Sequence, residues 1–105
     1  MNLIFENIPL RVNEIRKRFE IEIGENFVFI NYSKFGSQIA LTHTETAQTF
    51  TGNGVGSVVV EKTLQYIETQ QFMLLPFCPV VIAYIKNNPE WKRIVSNKFK
   101  DYHTI

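Results

Sequence analysis

Thr51-Gly52-Asn53-Gly54-Val55-Gly56-Ser57 stands between a strand-like segment ending in Leu41-Thr42-His43-Thr44-Glu45 and an unbroken helical pattern. A glycine-rich turn that opens a helix presents main-chain N–H groups at the positive end of the helix dipole, which suits phosphate. Glycines in such a place also serve simply to let the chain turn or backbones pack closely, and the spacing alone leaves both uses open. Two nucleotide patterns do not fit. No Gly-Lys-Ser/Thr follows for a P-loop. The run Gly52 to Gly56 is too compact for the dinucleotide fingerprint and lacks an acidic residue in the expected place downstream.

Working outward, the helix expected over about Asn53 to Gln70 carries Val60, Leu64 and Ile67 on one stripe, with Glu61, Lys62, Gln65 and Glu68 outside it. Such a stripe needs a sheet to cover. Phe72-Met73-Leu74-Leu75 is short and wholly apolar, the pattern of a buried strand parallel to its predecessor, and Pro76 ends it. Pro79 suits the first turn of a second helix, in which Val81, Ile82 and Ile85 pack and Lys86 and Asn87 face outward until Asn88-Pro89 stops it. Trp91, Ile94, Val95 and Phe99 then recur at near-helical spacing, as expected of a tail wrapped on the domain.

On the other side of the turn, Phe19, Ile21 and Ile23 alternate with Glu20 and Glu22, the period of a half-buried strand. Gly24-Glu25-Asn26 turns it into a return strand over Phe27 to Tyr32, which ends near Lys34-Phe35-Gly36-Ser37. Gln38 to Glu45 reads as a third strand, with Ile39 and Leu41 on one face and Ala40 and Thr42 on the other. Short turns make an antiparallel meander the economical topology. In residues 1–17, Ile8, Leu10 and Val12 alternate like an edge strand, while Asn13 to Lys17 suits a short turn or helix equally.

At 105 residues the chain suffices for one domain with a single core, and 45% hydrophobic and 20% charged residues exclude disorder. A net charge of +1 gives no electrostatic footprint for nucleic acid, and Arg16-Lys17-Arg18, flanked by Glu14 and Glu20, reads as the solvated lead-in to a strand. No apolar run is long enough to span a bilayer, and Glu6 interrupts what a signal peptide would need, so a cytoplasmic protein with no membrane partner is expected. One cysteine and two histidines cannot assemble a zinc site, so no metal is expected.

Three side chains are candidates for chemistry. His43, two residues before Glu45, ends the third strand, where an imidazole serves either as a general base toward an amine or as a structural hydrogen-bonding group. Cys78, in Pro76-Phe77-Cys78-Pro79, lies at a helix start that favours thiolate, and is either a nucleophile, a thiol beside the substrate or a small buried hydrophobe. Tyr84, farther along that helix, either aims a phenol at the same cleft or packs in the core.

In combination these segments are more telling. Arg18-Phe19-Glu20, Leu41 to Glu45, Gly52-x-Gly54-x-Gly56-Ser57, and Pro76-x-Cys78-Pro79 with Tyr84 and Asn88-Pro89-Glu90-Trp91, in this order and spacing, closely resemble the small single-domain GNAT-like N-acetyltransferase family, also called YjdJ-type, over about residues 18–92. The resemblance implies an α+β (mixed α/β) GNAT-like domain over 1–105, with 1–17 as an extension and 90–105 as a tail. An antiparallel N-terminal meander would lead into a strand–helix–strand crossover whose central strands, 38–45 and 72–76, splay apart. It implies acetyl-CoA as the cofactor, its pyrophosphate on the amides of Gly52, Asn53, Gly54, Val55, Gly56 and Ser57, and its arm along the strand of Thr42 and Thr44. His43 and Cys78 match the family positions that act near the acetyl group, and Tyr84 matches the tyrosine that protonates the leaving thiolate.

Two departures follow from the same comparison. Thr51 stands where the superfamily signature has Gln or Arg, which weakens one phosphate contact. The first hairpin turns at Gly24-Glu25-Asn26, where larger relatives insert helices, so the acceptor site is expected to be open or completed by a partner. The expected activity is N-acetyl transfer from acetyl-CoA to a small-molecule or protein amine acceptor, by a monomer or weak homodimer. The alternative is an acyl-CoA-binding regulatory or interaction module with little or no transfer.

Overall fold

The β-rich half of the chain forms because its apolar residues fall at alternate positions between tight turns. A computed structural model describes residues 7–45 and 54–105. Strands β1 (Arg11–Asn13), β2 (Arg18–Ile23), β3 (Asn26–Phe35) and β4 (Gln38–Glu45) are followed by helix α1 (Val55–Thr69), strand β5 (Met73–Pro76) and helix α2 (Pro79–Asn87). The sheet order is β1-β2-β3-β4-β5, antiparallel throughout except for the parallel pair of β4 with β5. This is the expected α+β arrangement, a meander leading into a strand–helix–strand crossover, with β1 added at the edge where the sequence left the choice open. No helix among the described residues is long and apolar enough to cross a membrane.

The β2–β3 hairpin closes from Ile23 to Asn26 through a two-residue turn, and Gly24 takes its positive φ of 62° at no steric cost. One sheet face is apolar. Phe19, Ile21, Val28, Ile30 and Leu41 are buried there against Val59, Leu64 and Ile67 of α1, and the Tyr66 ring of α1 meets Phe19 at 5.3 Å between centroids. Burying each such aliphatic side chain contributes roughly 1.5–3 kcal/mol, enough to hold α1 across the sheet. Pro79 takes the first turn of α2, and the helix stops at Asn87 before Pro89. A 3-10 segment, Pro89–Ile94, buries Trp91 and Ile94. Val95 then bridges Leu74, and the Ser96 N–H donates to the Leu74 carbonyl at 2.8 Å, so the tail covers the free edge of β5.

The opposite face of the sheet carries a buried ion cluster. Glu20 has no exposed side-chain area, held by Arg11 at 2.8 Å, by Arg18 and by Asn13. The Arg18 guanidinium lies 4.2 Å from the Phe29 ring centre, and Arg11 lies 5.5 Å from that of Phe27. Arg16 and Lys17 are exposed as a lead-in should be, but Arg18 belongs to this stacked ion cluster.

β4 carries the feature that sets the site. Asn31 pairs with His43 and Tyr32 with Leu41, so Thr42 is an extra residue in the ladder, a β-bulge. Strict alternation places His43 on the face of Ile39 and Leu41. The bulge reverses it. Thr44, opposite Ile30, faces the helices, and His43, opposite Asn31, faces away from them.

Candidate active site

β4 and β5 pair only as far as Leu41 and Pro76, after which β4 continues to Glu45 bonded to β3 alone. The chain leaving β5 bends away because the Phe77 and Cys78 N–H groups both donate to the Leu41 carbonyl, each at 3.0 Å. Among the described residues, Thr42 to Glu45 therefore have no strand partner on the β5 side.

The start of α1 is the second feature. Gly54 is its N-cap, exposed and left-handed at φ 79°, and the helix has neither a side-chain cap nor an acidic residue in its first turn. The first-turn amides are thus not claimed by a capping side chain. Gly56 and Ser57 follow, both half-buried. Thr51, Gly52 and Asn53 lie outside the described residues.

A groove of about 560 Å³ runs between the two helices, walled by Ser57 and Val60 of α1 and by Val80, Ala83, Tyr84 and Asn87 of α2. Val80, half-exposed, adds an apolar side chain to its wall. Behind the groove, one carboxylate ties the elements together. Glu61 of α1 accepts the Tyr84 hydroxyl and, at 3.0 Å, the Trp91 indole N–H. Burial, then the hydrogen bond to Glu61 and its charge, and the charge of Glu90, push the Tyr84 phenol well above its ordinary value. The hydroxyl stays protonated and aimed at Glu61.

The candidate residues are thus divided between two faces. Thr44 and Cys78 meet on the helix side, Oγ1 to Sγ 3.0 Å, with Cys78 only 2% exposed. His43 emerges on the other side, where its Nε2 lies 3.4 Å from Glu45 Oε2 and both side chains are 62% exposed. Tyr84 reaches the groove, but its hydroxyl has a different partner from the one the resemblance implied.

Glu61, which the helical period places outside the apolar stripe, is the residue that sequence reasoning misses. The signal lay in Tyr84 and Trp91, since buried aromatic O–H and N–H groups require an acceptor. Glu61→Ala is expected to leave both donors unpaired at a cost of about 2 kcal/mol. A urea titration should show the lower midpoint, and Glu61→Gln, which keeps an acceptor oxygen, should recover most of it.

The sequence pattern of the GCN5-related N-acetyl-transferase family matches residues 18–94. Among solved structures, a GCN5-like protein from Staphylococcus aureus, determined in solution by NMR, superposes with a TM-score of 0.66 at 17% identity, covering 94% of this chain and 98% of that one. At that identity the likeness concerns the fold, and it extends over nearly the whole length of both chains.

Proposed function

The chain belongs to the GCN5-related N-acetyl-transferase family, and from that premise we propose that it binds acetyl-CoA and transfers the acetyl group to an amine. The observation that carries the proposal is the parting of β4 from β5 beyond Leu41 and Pro76, in a fold that also has an uncapped helix start and an interhelical groove. These features fit the ligand's parts. Main-chain amides around Gly54, Val55, Gly56 and Ser57, at the uncapped start of α1, suit a diphosphate. The apolar groove wall and the free edge of β4 suit an amide-containing arm.

Acetyl-CoA, when bound, supplies an acetyl group activated as a thioester. Main-chain groups of Thr42 and Thr44, unused by β5, orient its carbonyl. As the new C–N bond forms and the thioester C–S bond breaks, His43 accepts the proton that the amine nitrogen loses, directly or through water, with Glu45 beside it steadying the imidazole, and the thiolate that leaves takes its proton from solvent. Thr44 and buried Cys78 form the wall on the helix side, and transfer is direct because a bound amine needs no relay. The acceptor approaches from the His43 face, which the short hairpin at Gly24 leaves open.

Trp91 is the single tryptophan and is bonded to Glu61 behind the groove, so its emission reports on groove occupancy. Titration with acetyl-CoA should give a saturable change in Trp91 emission, and a screen of polyamines, aminoglycosides and peptides should yield an acetylated amine. No saturable binding would refute the proposal. The second reading, an acyl-CoA-binding module, is favoured by one observation: the Tyr84 hydroxyl is committed to Glu61 and is not free to protonate a leaving thiolate. Binding with no turnover on any amine would select it.

A further inference from the structure

A second pocket, of about 160 Å³, opens at the end of β4 away from His43, between the β1–β2 turn and the last turns of α1. Val12, Ile39 and the Phe72 ring give it apolar walls. Glu14, Lys17, Lys34 and the phenols of Tyr32 and Tyr66 supply its polar groups. It shares no residue with the interhelical groove. Tyr66 stands about 13 Å along the α1 axis from Ser57, which borders that groove.

The polar groups of this pocket are uncommitted. Tyr32 is only 8% exposed, yet its hydroxyl has no hydrogen-bond partner among the described residues. No fully buried side-chain oxygen or nitrogen there is left unpaired, so the small exposed area of Tyr32 includes that hydroxyl, at the pocket it lines. Burial, then the charge of Glu14 and the neighbouring Tyr66, push the Tyr32 phenol above its ordinary value and keep it a donor at neutral pH. Lys34 holds its Nζ 4.8 Å from the Phe72 ring centre. Lys17 is left-handed at φ 55°, unusual for a side chain of its size, and its carbonyl accepts the Tyr32 N–H at 2.9 Å. Neither lysine has a carboxylate partner among the described residues.

We propose that this pocket is a binding site for a small monocarboxylate, whose oxygens take the Lys17 and Lys34 ammonium groups and the Tyr32 hydroxyl while its carbon body lies against Val12, Ile39 and Phe72. Hydrogen bonds from charged or well-oriented donors to a carboxylate are the strong ones, and a buried phenol loses little freedom in making one. Glu14 on the same wall opposes a second negative charge, which sets a monocarboxylate apart from a phosphate dianion. The volume equals that of about five waters, room for an acid of about three carbons. The inference does not depend on the assignment of the groove to acetyl-CoA.

The test is a titration of the isotope-labelled full-length chain with sodium propionate, followed through its amide NMR signals, with propionamide, inorganic phosphate and sodium chloride run in parallel. Propionate is expected to give saturable shifts centred on Val12, Lys17, Tyr32 and Lys34, with His43 and Thr44 unmoved. Tyr32→Phe, which keeps the ring that packs on Phe19, and Lys34→Met should each weaken that binding by about tenfold or more, the usual worth of a hydrogen bond to a charged group. Phosphate bound as tightly as propionate overturns the carboxylate class, and propionamide bound as tightly overturns the role of charge. Shifts that do not saturate, or that chloride reproduces, or binding undiminished in both variants, overturn the site itself.

Discussion

His43→Ala is expected to lower kcat/KM for amine acetylation by about a hundredfold or more, the usual worth of a positioned general base, while leaving the dissociation constant for acetyl-CoA unchanged. Cys78→Ala is expected to keep turnover within about threefold of the parent, because loss of one buried sulfur costs on the order of 1 kcal/mol of packing and no catalytic group. The bulge at Thr42 underlies the contrast, since it puts His43 on the open face of the sheet and leaves Thr44 and Cys78 together on the helix side. An imidazole that is 62% exposed can meet an incoming amine, whereas a thiol that is 2% exposed and in contact with Thr44 is poorly placed for one. Steady-state assays of released CoA thiol, run beside binding titrations, separate the two variants. If Cys78→Ala falls as far as His43→Ala, and Cys78 acquires an acetyl group that turns over, transfer goes through the cysteine and the direct route is wrong.

That division of faces is also where the sequence stopped being legible. Alternation in β2 and β4, the stripe Val60–Leu64–Ile67 and the proline stops gave the order of elements, because each depends on a local period that burial enforces. Leu64 and Ile67 are fully buried, and α2 ends one residue before Asn88-Pro89. A β-bulge has no such period. Leu41-Thr42-His43-Thr44 alternates as well with an extra residue as without one, and only the pairing partner on β3 decides which side chain turns outward. The same limit applies to Glu61, whose role is fixed by Tyr84 and Trp91, 23 and 30 residues away. The burial of Glu20 is hidden from the sequence for a related reason. Its place in the alternation is the outer face, as expected, but that face is roofed by Arg11 and Arg18 lying over Phe27 and Phe29.

Glu20→Ala is expected to be the most destabilising surface-face substitution, by about 3 kcal/mol, because it leaves the Arg18 guanidinium largely buried with no carboxylate. Arg18 retains only 15% side-chain exposure, while Arg11, at 59%, recovers water and moderates the loss. Burial alone would raise the Glu20 carboxyl, but the hydrogen bonds from Arg11, Arg18 and Asn13 outweigh it and hold the group below its ordinary value. A carboxyl depressed in the folded state contributes stability that is fully present above its unfolded value, about 4.3, and that is lost as pH falls through the folded value. Wild-type protein should therefore lose part of its stability on acidification below about pH 4, and Glu20→Gln, which cannot titrate, should lack that part of the acid limb. Replacing both charges, Arg18→Met with Glu20→Leu, removes the unpaired cation and should recover most of the stability lost in Glu20→Ala. Denaturant titrations of the three variants between neutral and acid pH measure all of this. If Glu20→Gln keeps the full acid limb, or the double variant is less stable than Glu20→Ala, the cluster does not hold the open face together, and the support it gives to β3 beneath His43 must come from the aromatic rings alone.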